Sequence, residues 1–348
     1  MAHITQANNP SRELNWLDLP NHVVLLITDK LITPVRDYIR FGAVCRSWRS
    51  IYTNNLHWYR THLPPQLPLL LMLSPNDDVE HSFLYSLTEN KLYNFPFVVP
   101  DDKDCCGSTQ GWLVVTVYNS EIHLLNPWLT VNNEIKLPSI AAIDPRGKVK
   151  VEVYVEKVVL SVNPSLNSNY IVMAIYGAYS RLAFFKPGEK NWICFNTNYD
   201  MFEDVIYYQD QFYGINYYGE LFICDVNPSN PMVSKFIERP LVHTYADKKY
   251  LVESNGSLLQ ILRNQENVCD SSGCTVLTLD PVECKWIETK NLSGRMLFLE
   301  EINVGDFKEP DGLYDMGVFN IEDGSFEPHY TKVPSTLFMP PIWVLPTL

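Results

Sequence analysis

From about residue 81 to the C-terminus one arrangement keeps returning: a short run of Val, Ile, Leu, Phe and Tyr, a turn, then another short run. Phe83–Leu87 precedes Thr88–Asn90, Ile122–Leu125 precedes Asn126-Pro127, and Leu182–Phe185 precedes Lys186–Gly188. Leu221–Asp225 precedes Asn227-Pro228, Val276–Leu279 precedes Asp280-Pro281, and Gly317–Ile321 precedes Glu322–Gly324. Such runs are too short for helices, and Pro, Asn, Asp and Gly punctuate them as turns. The turns fall near 88, 127, 187, 228, 281 and 322, at intervals of 39, 60, 41, 53 and 41 residues. A repeat of about 40–50 residues with about four strands is the pattern of a β-propeller, here of about six blades. The alternative is a β-sandwich with evenly spaced hairpins. Trp192 and Trp286, each a few residues past its turn, occupy equivalent places in two repeats and favour the propeller. No Gly-Gly doublet and no Trp-Asp signature occurs, so neither an ordinary kelch nor a WD40 propeller is expected. The 60-residue interval holds a charged segment, Arg146 to Lys157, read as an insertion or long hairpin.

The first 60 residues follow another period. Val23, Val24, Ile27 and Leu31 lie on one helix face behind Leu19-Pro20. Pro is tolerated there because the first helical turn has no partner for the missing N–H. Thr33-Pro34 is a second start signal, with Gly42 ending that short helix. Val44, Trp48 and Ile51 then mark a third. Three helices in residues 14–60 make a core too small to be stable alone, so a partner surface is expected. Between the two parts, residues 61–80 are Pro-rich and read as a linker, since Pro interrupts both helix and sheet. The expected organisation is therefore helices over 14–60, a linker over 61–80 and an all-β domain over 81–346. A fragment starting near residue 78 is expected to fold alone as a mostly β monomer.

Charge separates the same two parts. Residues 1–60 carry seven Lys and Arg against four Asp and Glu, while the whole chain is −13, leaving −16 on the remainder. An acidic body repels phosphate backbones, which argues against a nucleic-acid partner. No apolar stretch is long enough to span a bilayer; Leu67–Leu73 is short and interrupted by Pro68. Met1–Asn15 has no apolar core, so no secretory signal is read, and an intracellular protein of nucleus or cytoplasm is expected. Eight Cys without a CxxC pair read as free thiols.

A search for catalytic and ligand chemistry finds no phosphate loop, no dinucleotide fingerprint and no cofactor motif. Gly107–Gly111 has the outline of a nucleophile elbow, but Thr109 stands where Ser is required, and it reads as a turn entering a blade. Cys269, Cys274 and Cys284 match no standard zinc spacing and read as strand thiols. His123 lies within a strand and reads as packed or hydrogen-bonded rather than as a ligand. The cluster Tyr207-Tyr208, Phe212-Tyr213 and Tyr217-Tyr218 surrounds one hairpin; most of these rings should fill the space between blades. No acidic position repeats near strand starts, which weighs against a propeller glycosidase with its two facing carboxylates. Catalytic, cofactor and metal residues are accordingly expected to be none. Recognition is assigned to the longer loops at the rims, Asp101–Ser108, Ala141–Lys150, Asn196–Asp204, Asn264–Gly273 and Asn303–Gly312, which could receive a protein substrate.

Leu17–Ile27 with its Leu-Pro start, followed by Gly42–Ser50 with its Val-Cys-x-x-Trp end, resembles an F-box. The remainder resembles the KIB-type β-propeller of plant F-box proteins through Gly107–Val114, Ile122–Pro127, Tyr314–Gly324 and Pro340–Val344. The resemblance covers nearly the whole chain. It implies a non-catalytic substrate-receptor subunit of an SCF-type ubiquitin ligase. The helices would dock on the adaptor Skp1, and through it on cullin and RING subunits, while the propeller holds a substrate. Leu19, Pro20, Val24, Ile27 and Leu31 would supply the Skp1 contacts, and Val44, Cys45 and Trp48 the internal F-box core. Apart from that complex the chain is expected to be monomeric. Two other readings remain open at this point: an F-box interaction protein acting outside a ligase, and a propeller enzyme.

Overall fold

The structure, a computed structural model, describes residues 16, 19–31, 41–62, 67–72, 82–87, 89–95, 103–117, 121–129, 132–140, 154–196, 199, 201–240, 248–263, 274–290, 297–298, 317–319, 326–328 and 342–345. The chain forms two compact units, residues 1–67 with 346–348, and residues 68–345.

Two helices are described in the first unit, α1 (Asn21–Leu31) and α2 (Arg46–His62). Of the expected middle helix only Phe41 and Gly42, both helical, lie among the described residues. The Pro20 carbonyl accepts the N–H groups of Val23 and Val24 and so opens α1. Cys45 caps α2: its carbonyl accepts the Arg49 N–H, and its Sγ accepts the Trp48 N–H at 3.4 Å. A thiol there does what a Ser or Thr hydroxyl does at an N-cap.

The second unit is a propeller. Its sheets, in chain order, begin with β1 (Leu69–Met72), β2 (Ser82–Ser86) and β3 (Lys91–Phe95). The second holds β4 (Lys103–Thr109), β5 (Trp112–Val117), β6 (Ile122–Leu125) and β7 (Glu134–Lys136). The third holds β8 (Val155–Leu160), β9 (Val172–Tyr176), β10 (Arg181–Phe185) and β11 (Ile193–Cys194). The fourth holds β12 (Phe202–Tyr208), β13 (Gln211–Asn216), β14 (Leu221–Asp225) and β15 (Met232–Ile237). The fifth holds β16 (Lys248–Ser254), β17 (Ser257–Arg263), β18 (Cys274–Asp280) and β19 (Lys285–Glu288). A sixth sheet has three described strands, β20 (Leu297–Phe298), β21 (Gly317–Phe319) and β22 (Phe326–Pro328). Finally β23 (Ile342–Val344) adds to β1, Leu70 lying opposite Trp343 and Leu71 opposite Ile342, which gives the first sheet its fourth strand. Five four-stranded sheets and one of three strands are thus described, all pairings antiparallel.

The six sequence turns occupy one structural place. Each joins the last two strands of its sheet: β2 to β3, β6 to β7, β10 to β11, β14 to β15, β18 to β19 and β21 to β22. Trp192 and Trp286 are equivalent, entering β11 and β19; Trp286 faces Leu279, and Trp192 packs its ring 5.9 Å from that of Phe185. One edge strand of each successive sheet lies against the next in the order β23, β4, β8, β12, β16, as around a propeller axis.

Burial follows from that placement. Strand β9, covered on both faces, is buried throughout, whereas the outer strands β7, β15 and β19 are largely exposed, β7 and β19 carrying both Lys and Glu and β15 a Lys. Charge on an outer strand discourages pairing with other chains. Separate apolar layers fill the gaps between sheets. Trp112, Ile122, Val172 and Ala174 belong to the layer between the second and third, and Ile175, Phe184, Phe202 and Phe222 to that between the third and fourth. Tyr207 packs into one layer and Tyr208 into the next, as strand alternation requires.

Three expectations change. Residues 61–80 are not simply a linker: α2 runs to His62 and Leu69–Met72 is β1. The Pro residues flank that strand, so the apolar run between them remains free to pair. Residues Gly107–Thr109 end β4, and Gln110-Gly111 makes the turn to β5, so this segment leaves one strand for the next rather than entering a blade. Asp101–Ser108 and Asn196–Asp204 are not rim loops throughout, because β4 starts at Lys103 and β12 at Phe202. Residues 141–150, 264–273 and 303–312 lie outside the described residues, as do 146–153 of the charged segment, whose end opens β8.

Candidate partner-binding face

The helical unit has a core of Val24, Phe41 and Ile51, with Leu19, Leu25, Trp48 and Tyr52 packed around it. Phe41 stacks on Trp48 with centroids 4.8 Å apart. On α1 the inner side is Val24 and Thr28, one turn apart and both buried. The Thr28 hydroxyl is satisfied by the Leu25 carbonyl at 2.6 Å. The opposite side carries Leu26, with Pro20 just ahead of the helix and Val23 and Ile27 on its flanks. Pro20 is exposed, Leu26 is 62% exposed, and Val23 and Ile27 are half-buried.

The apolar stripe in the sequence therefore divides between two faces. Val24, expected as a partner contact, is fully buried in the unit's own core. The reason is geometric: Val24 lies one turn before the buried Thr28 and packs with Phe41 and Ile51, with Leu25 beside it. Leu19 packs against the same core. Pro20 is exposed, Ile27 is half-buried at the edge of the inner face, and the Leu31 side chain lies outside the described residues. Val44, expected inside, is 54% exposed. It sits in the turn ahead of α2, its N–H on the Phe41 carbonyl, so it lies off the helical face that Trp48 and Ile51 share. Cys45 and Trp48 are half-buried. Phe41 and Leu26 were the residues that the sequence pattern left out; Phe41 lies beyond the clear periodicity, and Leu26 reads as an ordinary helix position.

The propeller shows a second cluster, where β8, β12 and β16 begin. Strands β8 and β12 each carry a bulge, at Glu156 and Glu203, because Val155 and Lys157, and Phe202 and Asp204, face consecutive residues of their neighbours. An acidic position does repeat at these strand starts, contrary to expectation; the differing flanks, Val155 and Phe202, hide it in the sequence. Lys157 bonds Asp204, while Lys249 reaches Glu203 at 3.3 Å and stands over the Tyr217 ring at 4.9 Å. Glu156 accepts the Ser180 hydroxyl at 2.6 Å. Burial raises the carboxyl pKa of Glu156, against the Ser180 hydrogen bond and the Lys248 charge; burial likewise raises that of Glu203, against Lys249 and Lys248.

A carboxyl raised by folding binds its proton more tightly in the native state, so its contribution falls as pH rises from the unfolded value toward the folded one. Urea titrations of Glu156→Gln are expected to show the variant gaining on the parent as pH climbs above about 4.5. A variant that loses ground to the parent as pH climbs would contradict the burial argument.

Elsewhere the structure places the remaining candidates as packing groups. His123 in β6 is buried, with Nδ1 2.8 Å from Glu134 Oε1. Seven cysteines are free among the described residues, and burial pushes the Cys224 thiol up to about 12. Cys274 is in β18 and Cys284 is exposed in the following turn. Among the described residues no group of three or more His, Cys, Asp or Glu side chains could hold a metal ion, and no helix is long and apolar enough to cross a membrane.

With this geometry in place, comparison with known proteins gives two family matches. Residues 84–304 match the KIB1-4 beta-propeller family, and residues 16–64 match the F-box-like family. One F-box relative from Arabidopsis thaliana is 24% identical over 273 residues, 77% of this chain and 74% of its own length. Another, F-box protein At2g17036 of the same plant, is 22% identical over 404 aligned positions covering 95% of each chain. Among solved structures, the Dos1 propeller aligns at 14% identity and a TM-score of 0.34, over 62% of this chain and 54% of that one.

Proposed function

The chain belongs to the KIB1-4 β-propeller family and joins to that propeller an F-box-like segment; from this we propose that it is the substrate-receptor subunit of an SCF-type ubiquitin ligase. The helical unit binds a Skp1-like adaptor, which links it to cullin and RING subunits, and the propeller holds a protein substrate inside the cell. The division of labour is residues 14–62 for the adaptor and the propeller, including β1, for the substrate; the three-stranded sheet serves as a sixth blade. No catalytic side chain of this chain is needed, because a receptor acts by holding the substrate near a charged enzyme.

The observation that carries the reading is the outer side of α1. Pro20, Leu26 and Ile27 present apolar surface from a unit in whose core three residues, Val24, Phe41 and Ile51, are buried among the described residues. Small helical units of this size gain stability from a partner, and central apolar side chains dominate interface energies. Leu26 and Ile27 replace Val24 as the proposed contacts, beside Pro20, Leu19 and Leu31.

Changing Leu26 and Ile27 together to Ala is expected to weaken Skp1 capture by at least about a hundredfold, since truncating one central anchor costs about 2 kcal/mol or more. Because Leu26 is 62% exposed, the fold should survive the change. Titration of the purified chain with Skp1 measures this, and undiminished capture would place the contact elsewhere. Co-purification of a cullin with the parent chain separates a ligase subunit from a protein that uses Skp1 alone.

A further inference from the structure

The turn between β13 and β14 lies over a buried amide. Gln260, in the middle of β17, faces Leu251 on one side and Leu277 on the other. It is 0% exposed, and among the described residues neither its Oε1 nor its Nε2 has a hydrogen-bond partner. A primary amide taken from water without partners is a costly group to bury, whereas Leu or Met would fill the same space without that cost. Its Nε2 is aimed at Gly219, where an added Cβ would stand only 3.0 Å away, with Pro240 Cδ at 3.1 Å. Gly219 has φ +81°, so both its backbone and its lack of a side chain let the turn lie directly on the amide.

That turn is built for display. Asn216 ties it: its carbonyl accepts the Gly219 N–H at 2.9 Å, and its Oδ1 accepts the N–H groups of Tyr218 and Glu220. Tyr217 and Tyr218, between these ties, are 49% and 59% exposed with rings edge to face. The Tyr217 N–H donates to Met201, and the Met201 N–H donates to Tyr179, each at 2.8 Å. Met201 itself has φ +60°, a strained state for a side chain of its size, and it too is exposed. Two independent costs, the unpaired amide and the strained backbone, thus meet beside one aromatic surface.

We infer that Gln260 is the hydrogen-bonding floor of a peptide site at the boundary of the fourth and fifth sheets, covered by the Tyr217–Gly219 turn. The inference rests on the reading of the chain as a substrate receptor, and the ligand is an extended segment of the recruited protein. A residue in extended conformation turns its own N–H and C=O to the same edge. One glutamine amide, with donor and acceptor side by side, takes both. The turn lifts at Gly219 to admit the segment, and Tyr217 and Tyr218 close over its side chains. Main-chain bonds give attachment and the tyrosines give selectivity, the division seen wherever extended peptides are recognised.

The test pans a displayed library of random heptapeptides on the full chain, measures affinities of the recovered peptides, and follows Skp1 capture in parallel. Gln260→Met is expected to raise the melting temperature and to weaken the recovered peptides at least tenfold, with Skp1 capture unchanged. Tyr218→Ser, at the more exposed of the two positions, is expected to weaken the peptides without moving the melting temperature. A library that recovers nothing on the parent chain, a Gln260→Met chain that melts lower, or peptides that bind both variants like the parent would each overturn the site. Loss of Skp1 capture by the parent chain itself would instead overturn the ligase reading and leave the peptide site standing.

Discussion

A chain that begins at residue 78 is expected to fail to close its propeller, while one that begins at residue 68 folds as a β unit on its own. The ten residues between them include β1, the strand that sits between β2 and β23 and joins the two ends of the unit. Leu70, Leu71 and Met72 are each at most 2% exposed. Burying a side chain of that kind contributes about 1.5–3 kcal/mol, so the three together contribute roughly 5–9 kcal/mol. That is comparable to the whole stability of an ordinary domain, about 5–15 kcal/mol. The loss also strands β23, whose Ile342 and Val344 are fully buried in the layer between the first and second sheets. Removing residues 342–348 from the other end should therefore have the same consequence. Thermal melts followed by far-ultraviolet circular dichroism, with limited proteolysis, check this across fragments 68–348, 78–348 and 68–341. A cooperative melt of the 78–348 fragment within a few degrees of the longer one would show that closure does not depend on β1.

The position of β1 also shows where sequence reasoning stopped. The turns near 88, 127, 187, 228, 281 and 322 were legible because each sheet makes the same final hairpin, and Pro, Asn, Asp and Gly leave the same trace each time. Leu69–Met72 had no such trace. It is flanked by Pro68 and Ser74-Pro75, and its partners Tyr85 and Trp343 lie near and very far along the chain. Local pattern reports hairpins and is blind to a pairing that spans 273 positions. In the helical unit the stripe was legible but its rotation was not. Val24 and Ile27 share a broad face about 60° apart, yet Val24 is buried against Phe41 while Ile27 at the edge of that face is half-buried. Only the partner segment containing Phe41 decides which is which. The acidic bulges, too, escaped notice: Glu156 and Glu203 are equivalent through register, and register is a property of paired strands rather than of either sequence alone.

Asp204→Ala is expected to be among the most damaging single changes in the propeller, because this carboxylate joins three consecutive sheets. It begins on β12 and is 1% exposed. Its Oδ1 accepts the Val205 N–H at 2.7 Å, its Oδ2 accepts the Leu251 N–H of β16 at 2.8 Å, and Lys157 of β8 bonds it from the other side. Removing it leaves two buried N–H groups without an acceptor and takes away the partner of Lys157. Breaking a buried pair in this way costs about 3–5 kcal/mol, far above the median for exposed pairs. The Lys157 side chain is 39% exposed, so its charge is screened by solvent and Lys157→Met should cost clearly less. Asp204→Asn, which keeps one acceptor and the shape, should fall between them. Urea unfolding of the three variants gives the order directly. A loss below about 1 kcal/mol for Asp204→Ala, or a larger loss for Lys157→Met, would mean that the sheets are held by their apolar layers alone and that the carboxylate only decorates the junction.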